Sequence, residues 1–127
     1  MSNSVYHVNI TLLGIGTLKL ELYRALAPLT VQKLTQAMPV QSRAIKRPKE
    51  LHIPLKDIIA ASEHEKIVFD KGEVAFDPRN SELLIFLEDE PSTIEPYNHV
   101  GKVISGLDLV NKARLSVGVN IELEKMN

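Results

Sequence analysis

Residues 5–23 read VYHVNITLLGIGTLKLELY, and this stretch decides the fold class. Apolar side chains alternate with polar ones on both sides of the turn Gly14-Ile15-Gly16. A period of two residues is typical of a strand with one buried face. Two such runs joined by a short glycine-containing turn predict a β-hairpin, with Val5–Leu13 and Thr17–Tyr23 as its strands.

The hydrophobic period changes to that of a helix directly after the hairpin. Apolar residues recur at helical spacing within Pro28–Met38, where Pro28 suits a first helical turn and Pro39 ends the pattern. We therefore predict a first helix over Pro28–Met38. A second short helix is predicted over Leu107–Leu115, because a glycine precedes another apolar-periodic run.

Short strand-like segments dominate the remainder of the chain. The segment Leu83–Leu87 is apolar throughout, which indicates a strand that is buried on both faces. Residues 55–64 stay ambiguous between a helical turn and irregular structure. The other predicted strands are Val40–Lys46, Glu50–Pro54, Ile67–Phe69, Glu73–Phe76, His99–Ile104 and a last alternation through Val119, Ile121 and Leu123.

The element count predicts a mainly β protein. Eight or nine short strands that do not alternate with the two helices argue against a parallel doubly wound sheet and favour one closed barrel with helices at its ends. The alternation also selects the side chains that should fill the barrel. This inward set is Val8, Ile10, Leu20, Leu22, Val74, Phe76, Ile85 and Ile121.

Composition excludes several classes of function. The 127 residues carry 15 Lys plus Arg against 16 Asp plus Glu, so we expect neither nucleic acid nor a membrane surface as a partner. There are 0 Cys, which excludes disulfides and thiolate chemistry and fits a cytoplasmic protein. We recognise no signal peptide and no membrane-spanning apolar run. A single domain over residues 1–127 is expected, and the oligomeric state stays open.

An ordered set of segments resembles the cyclophilins. The residues Ala27-Pro28-Leu29-Thr30-Val31 resemble the start of the first cyclophilin helix, and Val100–Val110 is similar to the late strand–glycine–helix element. The segments Ser42-Arg43-Ala44, Glu50–Ile53 and Gly72–Phe76 are similar to short prokaryotic cyclophilin-like proteins, a group generally of uncharacterised function. The resemblance implies a closed eight-stranded cyclophilin-like β-barrel capped by two short helices, in agreement with the element count.

The activity that this resemblance implies is peptidyl-prolyl cis/trans isomerisation. In cyclophilins an arginine on the third strand acts at the prolyl nitrogen beside an apolar pocket, and Arg43 falls on the matching strand. The strand Glu50-Leu51-His52-Ile53 stands where the cyclophilin Phe-Met-x-Gln strand is expected, and the loop tryptophan is missing because there are 0 Trp. We therefore expect isomerase activity to be absent or far below that of a typical cyclophilin, because positioning chemistry fails steeply without its pocket.

Two interpretations of Arg43 stay open. It is either a barrel residue paired with a carboxylate such as Glu73 or Glu88, or a catalytic or ligand-binding residue. His52 is predicted to be a hydrogen-bonded residue of a pocket or of the core, with proton transfer as the alternative. By resemblance, the functional groove lies on the strands that carry Arg43, His52 and Phe76, and these three are the predicted binding residues. A cation, an imidazole and an aromatic ring form a mixed set typical of small binding sites.

No cofactor and no metal are expected. The run Glu63-His64-Glu65 has metal-ligand residue types, but adjacent residues of one loop rarely converge on an ion, so a solvated turn is favoured. The run Glu88-Asp89-Glu90 is likewise interpreted as a solvated loop.

Three functions are compatible with the sequence. The first is a non-catalytic barrel that binds a small molecule or an extended peptide, the second is a weak prolyl isomerase that uses Arg43, and the third is a protein-interaction domain. Barrel motifs that are kept while pocket motifs are lost favour the first, since a fold by itself does not imply a function.

Overall fold

A computed structural model describes residues 5–124. The two helices are α1 (Pro28–Ala37) and a 3₁₀ helix (Leu107–Lys112). The strands are β1 (Val5–Leu12), β2 (Gly16–Tyr23), β3 (Val40–Lys46), β4 (Glu50–Pro54), β5 (Glu65–Lys66), β6 (Glu73–Asp77), β7 (Glu82–Phe86), β8 (Tyr97–Ser105) and β9 (Ser116–Leu123).

Eight of these strands close into an antiparallel barrel. Their order around it is β2-β1-β9-β3-β4-β7-β6-β8, and pairing of β2 with β8 completes the circle. The short strand β5 adds to the first residues of β8. At the closing seam Gly101 lies opposite Leu22, and a Cβ atom built on Gly101 would lie 1.9 Å from the backbone oxygen of Glu21. The predicted closed barrel with two capping helices is confirmed.

One apolar core fills the barrel. Every residue of the predicted inward set is buried in it, and none is more than 2% exposed. Strands of alternating pattern therefore placed their apolar face inward, as a period of two requires. The confirmed set is Val8, Ile10, Leu20, Leu22, Val74, Phe76, Ile85 and Ile121.

The two helices are shorter than predicted. The first ends at Ala37 because Met38, which precedes a proline, adopts an extended backbone. The second is a 3₁₀ helix that ends at Lys112, where we predicted helix as far as Leu115. The carbonyl of Leu115 accepts a hydrogen bond from the backbone N–H of Lys46 at 2.8 Å, so the chain is already joining the β3–β9 ladder there. No helix within residues 5–124 is long and apolar enough to cross a membrane.

Strand β7 is buried on both faces, as its apolar run predicted. Leu83 and Ile85 face the barrel core, whereas Leu84 and Phe86 face outward into a second apolar cluster. We call this second group the outer cluster; it consists of Phe69, Ala75, Leu84 and Phe86, with Tyr97 packed against them. The rings of Phe69 and Phe86 stack with their centroids 4.4 Å apart.

The predicted strand Ile67–Phe69 is wrong. Only Glu65 and Lys66 pair with β8, and the following residues bond to the loop before β8 instead. Phe69 forms a two-way backbone bridge with Glu90, at 2.9 and 2.8 Å. The physical reason is the burial of the Phe69 ring, which draws the backbone over the outer face of the barrel and away from its ladder.

The ambiguous segment 55–64 is irregular and is fastened to α1 by one carboxylate. Glu63 accepts hydrogen bonds from the backbone N–H groups of Leu29 and Thr30, each at 2.9 Å, and from the Thr30 hydroxyl at 2.7 Å. Because α1 has no side-chain cap of its own, Glu63 satisfies its free N-terminal N–H groups from another segment.

Candidate functional site

The candidate site lies on the outer face of the barrel. The strand register places His52, Leu84, Ala75 and His99 side by side across β4, β7, β6 and β8. Their neighbours on the same strands point into the core, so alternation turns these four outward. His52 and His99 therefore flank Leu84 and Ala75, which belong to the outer cluster.

His52 is held between two carboxylates. Its Nδ1 atom lies 3.0 Å from Glu82 Oε1, and its Nε2 atom lies 3.2 Å from Glu50 Oε1. The predicted hydrogen-bonded role is thus confirmed. The arrangement fixes the ring orientation, and the proton-transfer alternative stays a prediction.

His99 is a half-buried histidine with a different environment. Its Nε2 atom lies 3.0 Å from Glu73 Oε2 and 3.0 Å from the backbone oxygen of Gly101, and its ring lies nearly perpendicular to that of Phe69, with the centroids 5.9 Å apart. Burial lowers the pKa of His99, and the Glu73 carboxylate opposes that effect only in part. Sequence analysis placed His99 at the first position of a predicted strand and assigned it no role. Its place between inward-facing Asn98 and Val100 was the signal that it faces outward.

The structure corrects one interpretation of Arg43. Its side chain is exposed on the outer side of β3, and its Nε atom donates to Ser116 Oγ at 2.6 Å. Glu73 pairs instead with Lys66 and His99, and Glu88 forms no ion pair within the described range. The predicted pairing with Glu73 or Glu88 is therefore wrong. The reason is register: Arg43 lies opposite Gly118 of β9, so its nearest polar neighbour comes from that strand.

The three predicted binding residues do not share one groove. Arg43 and His52 lie on the same outer surface, but Arg43 leans toward β9 while His52 is enclosed by Glu50 and Glu82. The ring of Phe76 is fully buried in the barrel core. A binding role for Phe76 at the outer surface is corrected on this ground, because alternation along β6 turns Phe76 inward and Ala75 outward.

A cleft of about 380 Å³ opens beside Glu50, which connects it to His52. One wall is the β3–β4 turn and the other is the loop before β8. Lys49 Nζ and Glu90 Oε2 face each other across it at 3.5 Å, and the Ile94 side chain is fully exposed. The lining residues are Pro48, Lys49, Glu50, Glu90, Ser92, Thr93, Ile94 and Tyr97.

Tyr97 gives this cleft an uncharged phenol. Burial raises the pKa of Tyr97, and the nearby carboxylates of Asp77 and Glu50 raise it further. Like an ordinary phenol, the hydroxyl is protonated at neutral pH, and the raised pKa extends that range upward, so its O–H can donate a hydrogen bond. Sequence analysis interpreted Glu88-Asp89-Glu90 as a solvated loop and missed the cleft, because the cleft depends on the Phe69–Glu90 bridge that holds the loop on the barrel.

On this face His52 contacts two carboxylates and His99 contacts one. Within residues 5–124 no three histidine or acidic side chains are grouped so that they could hold a metal ion.

Three solved structures share this architecture. A hypothetical protein from Archaeoglobus fulgidus is 20% identical, with a TM-score of 0.81 over 95% of this chain and 96% of that one. McbB, solved in complex with tryptophan, is 16% identical, with a TM-score of 0.76 over 94% of this chain and 45% of McbB. A cyclophilin-type peptidyl-prolyl cis-trans isomerase of Cryptosporidium parvum is 13% identical, with a TM-score of 0.69 over 97% and 99%. At such identities the likeness shows the fold alone.

Comparison of the sequence with known proteins identifies the family. No curated protein sequence matches the chain. The family model described as cyclophilin-like matches residues 7–122, which is nearly the whole barrel. This chain therefore belongs to the cyclophilin-like family.

Proposed function

We propose that the protein is a non-catalytic binding module whose ligand occupies the cleft between the β3–β4 turn and the loop before β8. The observation that supports this is the composition of the cleft: apolar side chains at Pro48, Ile94 and Tyr97, with the Lys49–Glu90 ion pair also in its lining. Its volume of about 380 Å³ falls within the range of small-ligand sites. A small molecule or one segment of an extended peptide fits this description.

Two features favour binding over chemistry in this cleft. The side chains that line it include one lysine, two glutamates and a phenol, and among the described residues neither the Ser92 nor the Thr93 hydroxyl is hydrogen-bonded to a carboxylate or a histidine that could activate it. Glu50 is already engaged by His52, which positions it as a fixed acceptor at the edge of the cleft. Fixed polar groups around apolar walls are how small sites set ligand orientation.

The test uses two probes that separate the ligand classes. L-tryptophan represents a small aromatic molecule, since the related fold of McbB was solved with it, and succinyl-Ala-Ala-Pro-Phe-p-nitroanilide represents an extended peptide. Each is titrated into ¹⁵N-labelled protein. We expect saturable shifts at residues 48–50 and 90–97 for one of them. Absence of saturation for both would contradict the proposal.

Matched variants tie the binding to the cleft. Ile94→Ser removes a fully exposed apolar side chain from its wall, and Ile59→Ser removes another exposed isoleucine elsewhere on the surface. We expect Ile94→Ser to weaken binding severalfold, because about 0.8 kcal/mol accompanies each CH₂ group buried. Ile59→Ser should bind like the wild type. Equal loss in both variants would overturn the cleft assignment.

A weak prolyl isomerase is the second candidate, and the exposure of the Arg43 guanidinium is the observation that favours it. We predict that the protease-coupled assay on the same proline peptide gives the same background rate for wild type and Arg43→Ala. High activity in the wild type that disappears in Arg43→Ala would replace the binding proposal with the enzyme.

A further inference from the structure

A second depression lies at one end of the barrel, on the β9 side of β3. Four parts of the chain form it: the β1–β2 turn, strand β3, the end of the 3₁₀ helix with the segment after it, and the start of β9. Its volume is about 350 Å³. The lining residues are Leu13, Ile15, Arg43, Lys112, Arg114, Ser116, Val117 and Gly118.

The charge of this depression is of one sign. Arg43, Lys112 and Arg114 line it, and no carboxylate does. Within residues 5–124 none of the three forms an ion pair, whereas Lys49, Lys66 and Arg79 are each paired with carboxylates. Three neighbouring cations repel one another, and an anion bound among them is attracted to all three, which offsets that repulsion.

The guanidinium of Arg43 is oriented by its neighbours. Its Nε atom donates to Ser116 Oγ at 2.6 Å, so the O–H of Ser116 can in turn donate a hydrogen bond to a ligand. The Nη1 atom lies 4.0 Å from the position that a Cβ atom on Gly118 would occupy. The two terminal nitrogens form no hydrogen bond to any of the described residues, and their fork geometry matches two oxygens of one oxyanion.

The absence of a side chain at Gly118 keeps the floor of the depression open. A Cβ atom there would lie 2.9 Å from Leu13 Cδ1. Leu13 is itself 52% exposed, and together with Ile15 and Val117 it supplies an apolar wall beside the three cations. The geometry therefore offers an anion site and an apolar surface in the same depression.

We propose that this depression binds a small organic phosphate monoester. Three cations favour a doubly charged group over a carboxylate, which carries one charge. The apolar wall favours an ester with an organic body over inorganic phosphate. The site is separate from the outer-face cleft, so the two proposals stand or fall independently.

The test compares four probes by amide chemical shifts in ¹⁵N-labelled protein: phenyl phosphate, benzoate, inorganic phosphate and phenol. We expect phenyl phosphate to bind most tightly, with saturable shifts at Arg43, Ser116 and Gly118 and an affinity that falls with added salt. Benzoate and inorganic phosphate should bind more weakly, and phenol should leave these amides unchanged. Equal affinity for phenyl phosphate and either other anion would overturn the proposal, as would non-saturating shifts.

Charge variants on the exposed surface provide the controls. Arg43→Gln should weaken phenyl phosphate binding by about tenfold or more, as expected for loss of a charge-assisted contact. Arg43→Lys keeps the charge but not the fork and should lose less. Lys112→Gln and Arg114→Gln should each weaken binding, and Arg24→Gln, an exposed arginine outside the depression, should not. Wild-type affinity in Arg43→Gln, or equal weakening in Arg24→Gln, would refute the site.

Discussion

The two faces of strand β7 differ in the residues that pack against them. On the inner face Leu83 and Ile85 pack into a core to which every barrel strand contributes. On the outer face Leu84 and Phe86 are covered by Phe69 and Tyr97, which belong to irregular segments or to the end of a strand. The inner face is therefore secured by the whole barrel, and the outer face depends on one loop that a single aromatic ring anchors.

The largest effect should come from breaking the inner face. Ile85 is fully buried in the barrel core, so Ile85→Ala should lower the free energy of unfolding by about 2–5 kcal/mol. Chemical denaturation of wild type and variant measures this. A loss below about 0.5 kcal/mol would mean that the core closes around the missing atoms, in contradiction to rigid packing.

The segments that cover the outer face of β7 should unfold locally at a lower free energy than the barrel unfolds globally. Phe69→Ala removes the ring that stacks on Phe86, and we expect a loss of about 2–3 kcal/mol, at or below the range for fully buried phenylalanines. Amide hydrogen exchange should accelerate at residues 64–72 and 88–96 while barrel amides keep their protection relative to the new global stability. Uniform acceleration across β1 and β9 would instead show that the outer cluster and the core unfold as one unit.

The smallest expected effect on stability concerns Glu63, in the irregular segment that precedes β5. Burial alone would raise the pKa of Glu63, but hydrogen bonds from the Leu29 backbone and from Thr30 outweigh it and leave that pKa lowered. Glu63→Gln should cost about 1 kcal/mol at neutral pH, the usual value of a helix cap. Glu88→Gln, at an exposed position, is the matched control.

The pH dependence of that difference follows from the sign of the shift. A carboxyl whose folded pKa lies below its unfolded value of about 4.5 stabilises the protein above that pH. The contribution then disappears as the pH falls through the folded pKa. Wild type and Glu63→Gln should therefore approach the same stability in acid, by denaturation at neutral and acidic pH. A difference that stays constant with pH would contradict the capping role.

The sequence predicted the barrel interior far better than its exterior. Alternation along one strand is enough to assign Val8 or Ile85 to the core, because each strand carries its own pattern. The surroundings of Arg43 depend instead on which strand lies beside it, and Ser116 is remote in sequence. The strand predicted at Ile67–Phe69 failed for a related reason: its partners are loop residues, whose position no local pattern encodes.

The seam at Gly101 bears on how the barrel forms over time. The strands that meet there, β2 and β8, lie far apart along the chain, and their backbones touch where Gly101 faces Leu22. Most of the chain must lose conformational entropy before the stabilising contacts at this seam can form, so barrel closure is a late event in folding. Folding on the order of milliseconds to seconds is expected for so non-local a topology. A side chain at position 101 would hold the seam apart and leave two strand edges open to pairing with other molecules.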